Sequence, residues 1–560
     1  MNVLNAFIGF IAAIVLVGCS ANDPTAPPVS LKLERGKEGF HASWEFAEPV
    51  RALSFTRNGG FRSSEWRGKD GVRVERRGAK EILISDQART RFEIFIPAHE
   101  TKSPGDYPFI IPYSDGGVVL YTGFLLASPV ECFSECTDEE VAYFDQSPSR
   151  TSFRIDAAFD ENIVIDGGTV SASIDSVLGR EGSFVYFGRQ IPRTVGNLKI
   201  LADTSIPLWV LEEIQRTFPR VMTFAHENLR YSLGQTPIIF VPQGDAIGSL
   251  RSDSNSGAVV GYQMLLSFSG DAWRKQNDQL KETLRKLIAH ETFHFWNGSL
   301  FKSTMSSGGE WLHEGAAEAF SYVALRDLGE ISNERFQSIE EESLNRCLLG
   351  SVRSPYDCGA IMHLTLSRSL EMQNKDIWSF WREMFAAAAE NGNKYSDHEF
   401  FSAAGKTPVR SSLVEIANRQ TSGYETASFE SDFSQMYRRT GRELVFADYE
   451  WPLWYSRYVA ERVLEQALQA DCGPLGLTSS RDIGQVRLGG GSACKVLRED
   501  VDVDFVGPHR LWIDGVAAYD YVYDTCRTQD VFRVRTVRDN SRLSVKCPEI
   551  GPRPRYIRLL

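Results

Sequence analysis

The sequence predicts a multidomain α+β protein: one or two N-terminal antiparallel β modules, a mostly helical central domain and a small C-terminal β module. Three observations carry this expectation. At 560 residues the chain exceeds what one core sustains, and roughly two to four domains are expected. Apolar residues change from an alternating to a helical spacing near residue 200, and return to alternation near 445. With 42% hydrophobic and 24% charged residues, the composition is that of a folded chain throughout.

The N-terminus reads as a targeting segment. Residues 6–17 form a short apolar run that ends in Leu16-Val17-Gly18-Cys19, which looks like a bacterial lipobox. Residues 1–19 are therefore expected to be a lipoprotein signal peptide, with Cys19 taking the lipid, and residues 20–30 a polar tether. No Lys or Arg precedes the apolar run, so an uncleaved anchor or a simple secretory signal is the alternative. No later segment reaches the roughly 18–20 apolar residues of a spanning helix. The expected location is the cell envelope, with the chain anchored to a membrane and facing the periplasm or exterior.

Cysteine usage agrees with export. Nine are present, and without Cys19 eight remain as sequence neighbours: 132/136, 347/358, 472/494 and 526/547. An oxidising compartment allows local disulfides, although eight cysteines permit roughly a hundred connectivities. The net charge of -12, with basic residues scattered, argues against nucleic acid as a partner.

Residues 31–197 alternate in short runs such as Arg91–Ile96 and Gly117–Tyr121 between Gly, Pro, Asp and Ser clusters, and are read as β domain(s). In the next domain, 198–445, Ile206–Leu229 reads as a helix, and Thr236–Val241 and Val259–Phe268 as strands. Helices then follow at about 272–296, 311–326, 332–346, 356–372, 375–390 and 428–440. Residues 446–560 are expected to be a disulfide-stapled β module, with strands at Lys495–Leu497, Leu511–Ile513, Val531–Val537 and Leu543–Val545. Gly473-Pro474-Leu475-Gly476-Leu477 could be the peptide-capping loop of a PDZ-like domain; a generic β module is the alternative.

The chemistry centres on His290-Glu291-Thr292-Phe293-His294. Leu280, Leu284, Leu287 and Ile288 set a helical frame in which His290 and His294 lie one turn apart on one side. Both imidazoles can then reach one Zn2+, which tolerates an open position for water. Glu291 can reach that water, take its proton and return it to a leaving amine. A third protein ligand is needed. Glu310-Trp311-Leu312-His313-Glu314-Gly315-Ala316-Ala317-Glu318 supplies it on a helix that Ala and Gly keep slim. Glu314 is the candidate, and Glu318, four residues on, could hold a ligand imidazole from behind. His313 competes with Glu314, but helix neighbours point about 100° apart, so one of the two faces the metal.

His290, Glu291, Phe293, His294, Trp296 and Asn297 resemble the glycyl aminopeptidase family of gluzincin metallopeptidases. Trp311 to Gly315 is similar to that family and, more distantly, to the aminopeptidase N family. The resemblance covers roughly residues 200–440. It implies zinc on His290, His294 and Glu314, Glu291 as base, and a thermolysin-like domain preceded by a β domain. Nineteen residues separate His294 from Glu314, one more than the aminopeptidase N pattern. Tyr356-Asp357-Cys358-Gly359-Ala360 resembles the segment whose Tyr donates to the oxyanion, with Cys in place of Lys. The alternative for Tyr356 is a helix-start aromatic beside a Cys347–Cys358 disulfide.

Residues 256–264 carry the glycines but not the carboxylate with which such aminopeptidases grip a free amine. Aminopeptidase and endopeptidase both stay open. A peptide could add to this strand by backbone pairing. Two further readings remain: a lipid-anchored peptide- or envelope-binding protein on an inactive scaffold, and a zinc hydrolase acting on another amide or an epoxide.

Overall fold

Alternation builds the first sheet. Val29, Leu31 and Leu33 turn inward from Val29–Arg35, and Leu31 lies opposite Trp44 of the long strand Gly39–Phe55. Trp44 in turn faces Phe92 of Lys80–Pro97. These strands are the centre of an eight-stranded sheet in a computed structural model that describes residues 29–77, 80–102, 107–130, 151–166, 168–171, 173–178, 181–242, 254–304, 309–350, 354–422, 426–447, 451–472, 477–480, 485–488, 496, 501–537, 540–551, 553 and 555–560. The sheet belongs to one compact unit, formed by the described residues within 29–97, 123–156 and 174–182. Its core holds a buried ion pair, Arg62 to Glu81 at 3.0 Å, with the guanidinium 4.1 Å from the Phe55 ring. A charge this deep is tolerable only when paired and hydrogen-bonded, and Arg62 also donates to the Arg57 and Phe124 carbonyls. Cys19, Cys132 and Cys136 lie outside the described residues.

The second unit holds 98–122, 157–173 and 183–560. Its six-stranded sheet (Pro108–Pro112, Val118–Tyr121, Asn162–Ile165 and Phe184–Gly188 among its strands) is tied to a five-stranded sheet by side chains that mimic strand pairing. Gln263 accepts from the Phe184 amide at 2.6 Å and donates to its carbonyl at 2.8 Å. The five-stranded sheet runs Arg193–Val195, Leu198–Ala202, Ile238–Val241, Gln263–Ser269 and Ser254–Val260 in spatial order. The single strand expected over Val259–Phe268 is a hairpin. Gly261, at φ 57, turns the chain between two antiparallel strands, and Ser254–Val260 becomes the edge.

Helices follow in the same unit and pack largely on one another: α1 (Leu208–Leu229), α2 (Asp278–His294), α3 (Glu310–Asp327), α4 (Asn333–Leu349), α5 (Ser354–Glu371) and α6 (Ile377–Glu390). The expected helix over 272–296 is interrupted. A 3-10 turn at Asp271–Arg274 precedes α2, and Asn277 caps α2 by accepting from the Leu280 amide at 2.8 Å. At its other end α2 widens into a π-helical turn, Phe295–Leu300, pinned where Trp296 Nε1 donates to the Tyr231 carbonyl. Ser332 caps α4, and Gly350 ends it at φ 66. Helices Asp397–Ala404 and Arg410–Ser422 were not anticipated, because short helices carry little periodicity. Helix α3 meets α5 backbone to backbone. A Cβ on Gly315 would lie 2.4 Å from Gly359 Cα, and one on Gly359 would lie 2.3 Å from the Trp311 carbonyl oxygen.

The C-terminal expectation of a β module requires correction. A sheet is present, with Val531–Thr536 and Arg542–Lys546 paired in it, but two helices, Leu453–Cys472 and Gly515–Cys526, pack into the same core. Tyr455, Val459, Val463 and Ala467 give the first a buried helical stripe. Leu511–Ile513, expected as a strand, is a turn that leads into the second helix. The expected strand Lys495–Leu497 and the Gly473–Leu477 loop fall largely outside the described residues. Strand Leu444–Ala447 pairs with Tyr556–Leu559, which α4 also grips: Asn345 bonds both the amide and the carbonyl of Ile557, and Glu341 accepts from the Leu559 amide. Disulfides join Cys347 to Cys358 and Cys526 to Cys547. The 472/494 pair lies outside what can be described.

Candidate metal centre

Helices α2 and α3 converge on one point. His290 and His294 sit on the last turn of α2, and Glu314 on the first turns of α3. His290 Nε2 lies 3.1 Å from Glu314 Oε2, His294 Nε2 3.4 Å from the same oxygen, and the two Nε2 atoms 3.2 Å apart. Among the described residues these three form the one His/Cys/Asp/Glu group whose donor atoms all lie within 4.8 Å of one another.

The opposite ring nitrogens decide what those donors offer. His290 Nδ1–H donates to Glu318 Oε2 at 3.1 Å, since a carboxylate only accepts. Glu318 is 3% exposed and is itself held by Lys286 and by the Tyr322 hydroxyl, which donates at 2.7 Å. His294 Nδ1–H donates to Asn297 Oδ1 at 2.9 Å. The orientation of that amide is fixed because Asn297 Nδ2 donates to the His313 carbonyl at 2.8 Å. Both histidines therefore turn lone-pair Nε2 atoms toward Glu314. Two imidazole lone pairs and a carboxylate oxygen, each braced from behind, fit a zinc ion.

The electrostatics show what the cluster demands. Burial alone would lower His290, but Glu314 and Glu318 override it and push it up to about 10. Burial alone would raise Glu314, yet His294 and His290 hold it far below the usual carboxylate range. The cluster thus calls for positive charge, which a divalent ion would supply in place of protons.

Glu291 is 6% exposed, and burial raises its carboxyl. It lies directly under the edge strand Ser254–Val260: a Cβ on Gly257 would fall 2.4 Å from Glu291 Oε1. Glycine is required at that position for the strand to pass over the carboxylate. Tyr356, at the start of α5, stacks beside His290, with ring centroids 6.3 Å apart and planes 17° apart. The Gly315–Gly359 contact brings it there.

The structure thus gathers His290, Glu291, His294, Glu314, Glu318 and Tyr356. His313 stands outside the donor set. Its Nδ1–H donates to the Asn297 carbonyl at 2.9 Å, its Nε2 stays 3.8 Å from Glu314 Oε1, and burial lowers it to about 4. Sequence reasoning assigned no part to Asn297, Lys286, Tyr322 or Tyr395, whose hydroxyl donates to the Asn297 carbonyl at 2.6 Å. Lys286 lies four residues before His290 and Tyr322 four after Glu318, so helical spacing could have found both. Asn297 needed the π turn, which the pattern does not announce.

No known protein family matches this sequence, and no curated protein does. Among solved structures, the chain is similar to an M1 zinc metallopeptidase from Deinococcus radiodurans, at 12% identity and TM-score 0.40, over 72% of this chain and 94% of that one. A mutant M1 zinc metallopeptidase from the same organism, bound to a Tyr-Ser-Ala substrate, gives 11% and 0.40, over 71% and 93%. Yeast LTA4 hydrolase in complex with bestatin gives 11% and 0.40, over 80% and 72%. Likeness at this level assigns no function.

Proposed function

We propose that this chain is a zinc metallopeptidase that hydrolyses peptide bonds, with zinc held by His290, His294 and Glu314. The observation that carries the reading is the convergence of three braced donor atoms beside a buried Glu291. Zinc bound there would supply Lewis acidity to water and to the scissile carbonyl. Glu291 takes a proton from the attacking water and delivers it to the leaving nitrogen. Tyr356 donates to the developing oxyanion. Glu318 and Asn297 hold the two imidazoles in the required tautomer. A peptide lies along the edge strand Ser254–Val260, whose outer side faces no other strand among the described residues. That strand carries no carboxylate to hold a free amine.

The test is digestion of a peptide library with free and with blocked N-termini, alongside metal analysis. Cleavage of blocked peptides with about one zinc per chain supports an endopeptidase; cleavage of free termini alone supports an aminopeptidase. No cleavage by zinc-loaded, folded protein would leave the peptide-binding scaffold. Glu291→Gln should retain zinc and lose nearly all turnover; unchanged turnover would require another base.

The same reading places the enzyme in the cell envelope on a lipid at Cys19. Cys19→Ser should release it from membranes, and persistent association would point to an uncleaved anchor. A PDZ-like role for the C-terminal module in holding peptides belongs to the same proposal.

A further inference from the structure

A cavity of about 310 Å³ lies between α3, α4, α5 and the turn that follows helix Thr426–Arg438. Arg326 on its wall stands twelve residues beyond Glu314 on the same helix, about 18 Å along the axis. The volume is at the lower end for small-molecule sites.

Three guanidinium groups line it: Arg326, Arg368 and Arg442. Their counter-charges are unequal. Arg368 forms a two-pronged pair with Glu340, which is fully buried and also accepts from the Tyr437 hydroxyl at 3.0 Å. Arg326 uses Nε and Nη2 on one oxygen of Asp327, both at 2.8 Å, and lies 4.7 Å over the Phe336 ring. Arg442 comes no nearer than 4.0 Å to the already engaged Glu340, and its side chain makes no hydrogen bond among the described residues. It is 21% exposed, and its backbone is fixed where its amide donates to the Tyr437 carbonyl. Burial and the adjacent Arg368 cation both lower it. A guanidinium carries five donors in a fork shaped for carboxylate or phosphate.

The remaining wall defines what such a group could be attached to. Phe336, Val323 and Leu364 offer an apolar side, and Gln337 an amide. Glu371 is the acid of the lining and accepts from Ser367 Oγ at 3.4 Å.

We infer that this cavity binds a small organic anion, its carboxylate or phosphate group on Arg442 and Arg326 and a short apolar arm against Phe336, Val323 and Leu364. The inference does not depend on peptide cleavage. The cavity shares α3 and α5 with the metal centre but none of its side chains.

The test is thermal unfolding of the full chain at fixed ionic strength with three probes: N-acetylleucine, inorganic phosphate and leucinamide. N-acetylleucine or phosphate should raise Tm saturably, by a few degrees well above Kd, and leucinamide should not. A response to phosphate alone assigns the anionic group as phosphate; a response to N-acetylleucine alone assigns it as carboxylate. Arg442→Gln should weaken the apparent affinity at least about tenfold while leaving probe-free Tm and peptide turnover near wild type. Arg326→Gln should do the same and serves if the first variant does not fold. No saturable rise with either anion, an equal rise with leucinamide, or an undiminished rise in both variants would overturn the assignment.

Discussion

Replacing Gly257 by alanine tests how the edge strand and Glu291 work together. The added Cβ would lie 2.4 Å from Glu291 Cγ, Cδ and Oε1, whereas ordinary contact begins at 3.4 Å. Either the carboxylate or the strand must move by about 1 Å. A displacement of that size at a reacting group costs about a hundredfold in rate, or about 2.7 kcal/mol of barrier. Zinc should stay, because none of the atoms displaced belongs to His290, His294 or Glu314. The assay is kcat on a fluorogenic peptide, read beside zinc content and near-ultraviolet circular dichroism. Gly234→Ala is the control, since its Cβ would meet only Tyr262 Oη, at an ordinary 3.5 Å. Turnover within about threefold of wild type, with zinc retained, would refute the reasoning: Glu291 would then be neither placed by this strand nor needed at this position.

Glu318→Gln should weaken zinc binding about 10- to 100-fold, because His290 loses its anionic brace and Lys286 its partner; competition with a chelating dye measures this. Burial alone would raise Glu213, but hydrogen bonds from Arg285 and Arg216 hold it down at about 2. Its contribution, on the order of 3 kcal/mol, is therefore complete above the unfolded carboxylate range and is lost as pH falls from about 4.5 through about 2. Urea midpoints of wild type and Glu213→Gln should differ at pH 7 and converge near pH 2. Replacing Cys347 and Cys358 together by serine should lower stability by about 2–4 kcal/mol, seen in Tm, and reduce turnover more than zinc affinity, since Tyr356 stands two residues from Cys358.

Much of the candidate site was legible because it stands on regular helices. Spacing put His290 and His294 on one side of α2, and the Gly and Ala of α3 anticipated the close approach that brings Tyr356 beside His290. The four-residue step from Glu314 to Glu318 puts one residue at the donor cluster and another behind it. What stayed hidden depends on departures from regularity. Asn297 reaches His294 only because α2 widens into a π turn. Gly257 shows its purpose only when a strand is seen crossing Glu291. The helix Leu453–Cys472 stays hidden because polar residues interleave its apolar stripe. The pairings Cys347–Cys358 and Cys526–Cys547 follow sequence proximity, which could suggest them but not select them.

The grip of α4 on strand Tyr556–Leu559 sets an order of events in synthesis. Asn345 waits for Ile557, 212 residues later in the chain. That interval lies wholly after the two helices that carry the three donor atoms. Helices α2 and α3 are complete throughout it, while the Asn345 amide and the Glu341 carboxylate have yet to meet their partners. The helices that carry the candidate site thus precede their clasp in the chain, and closure of this part of the domain waits on a four-residue strand rather than on those helices.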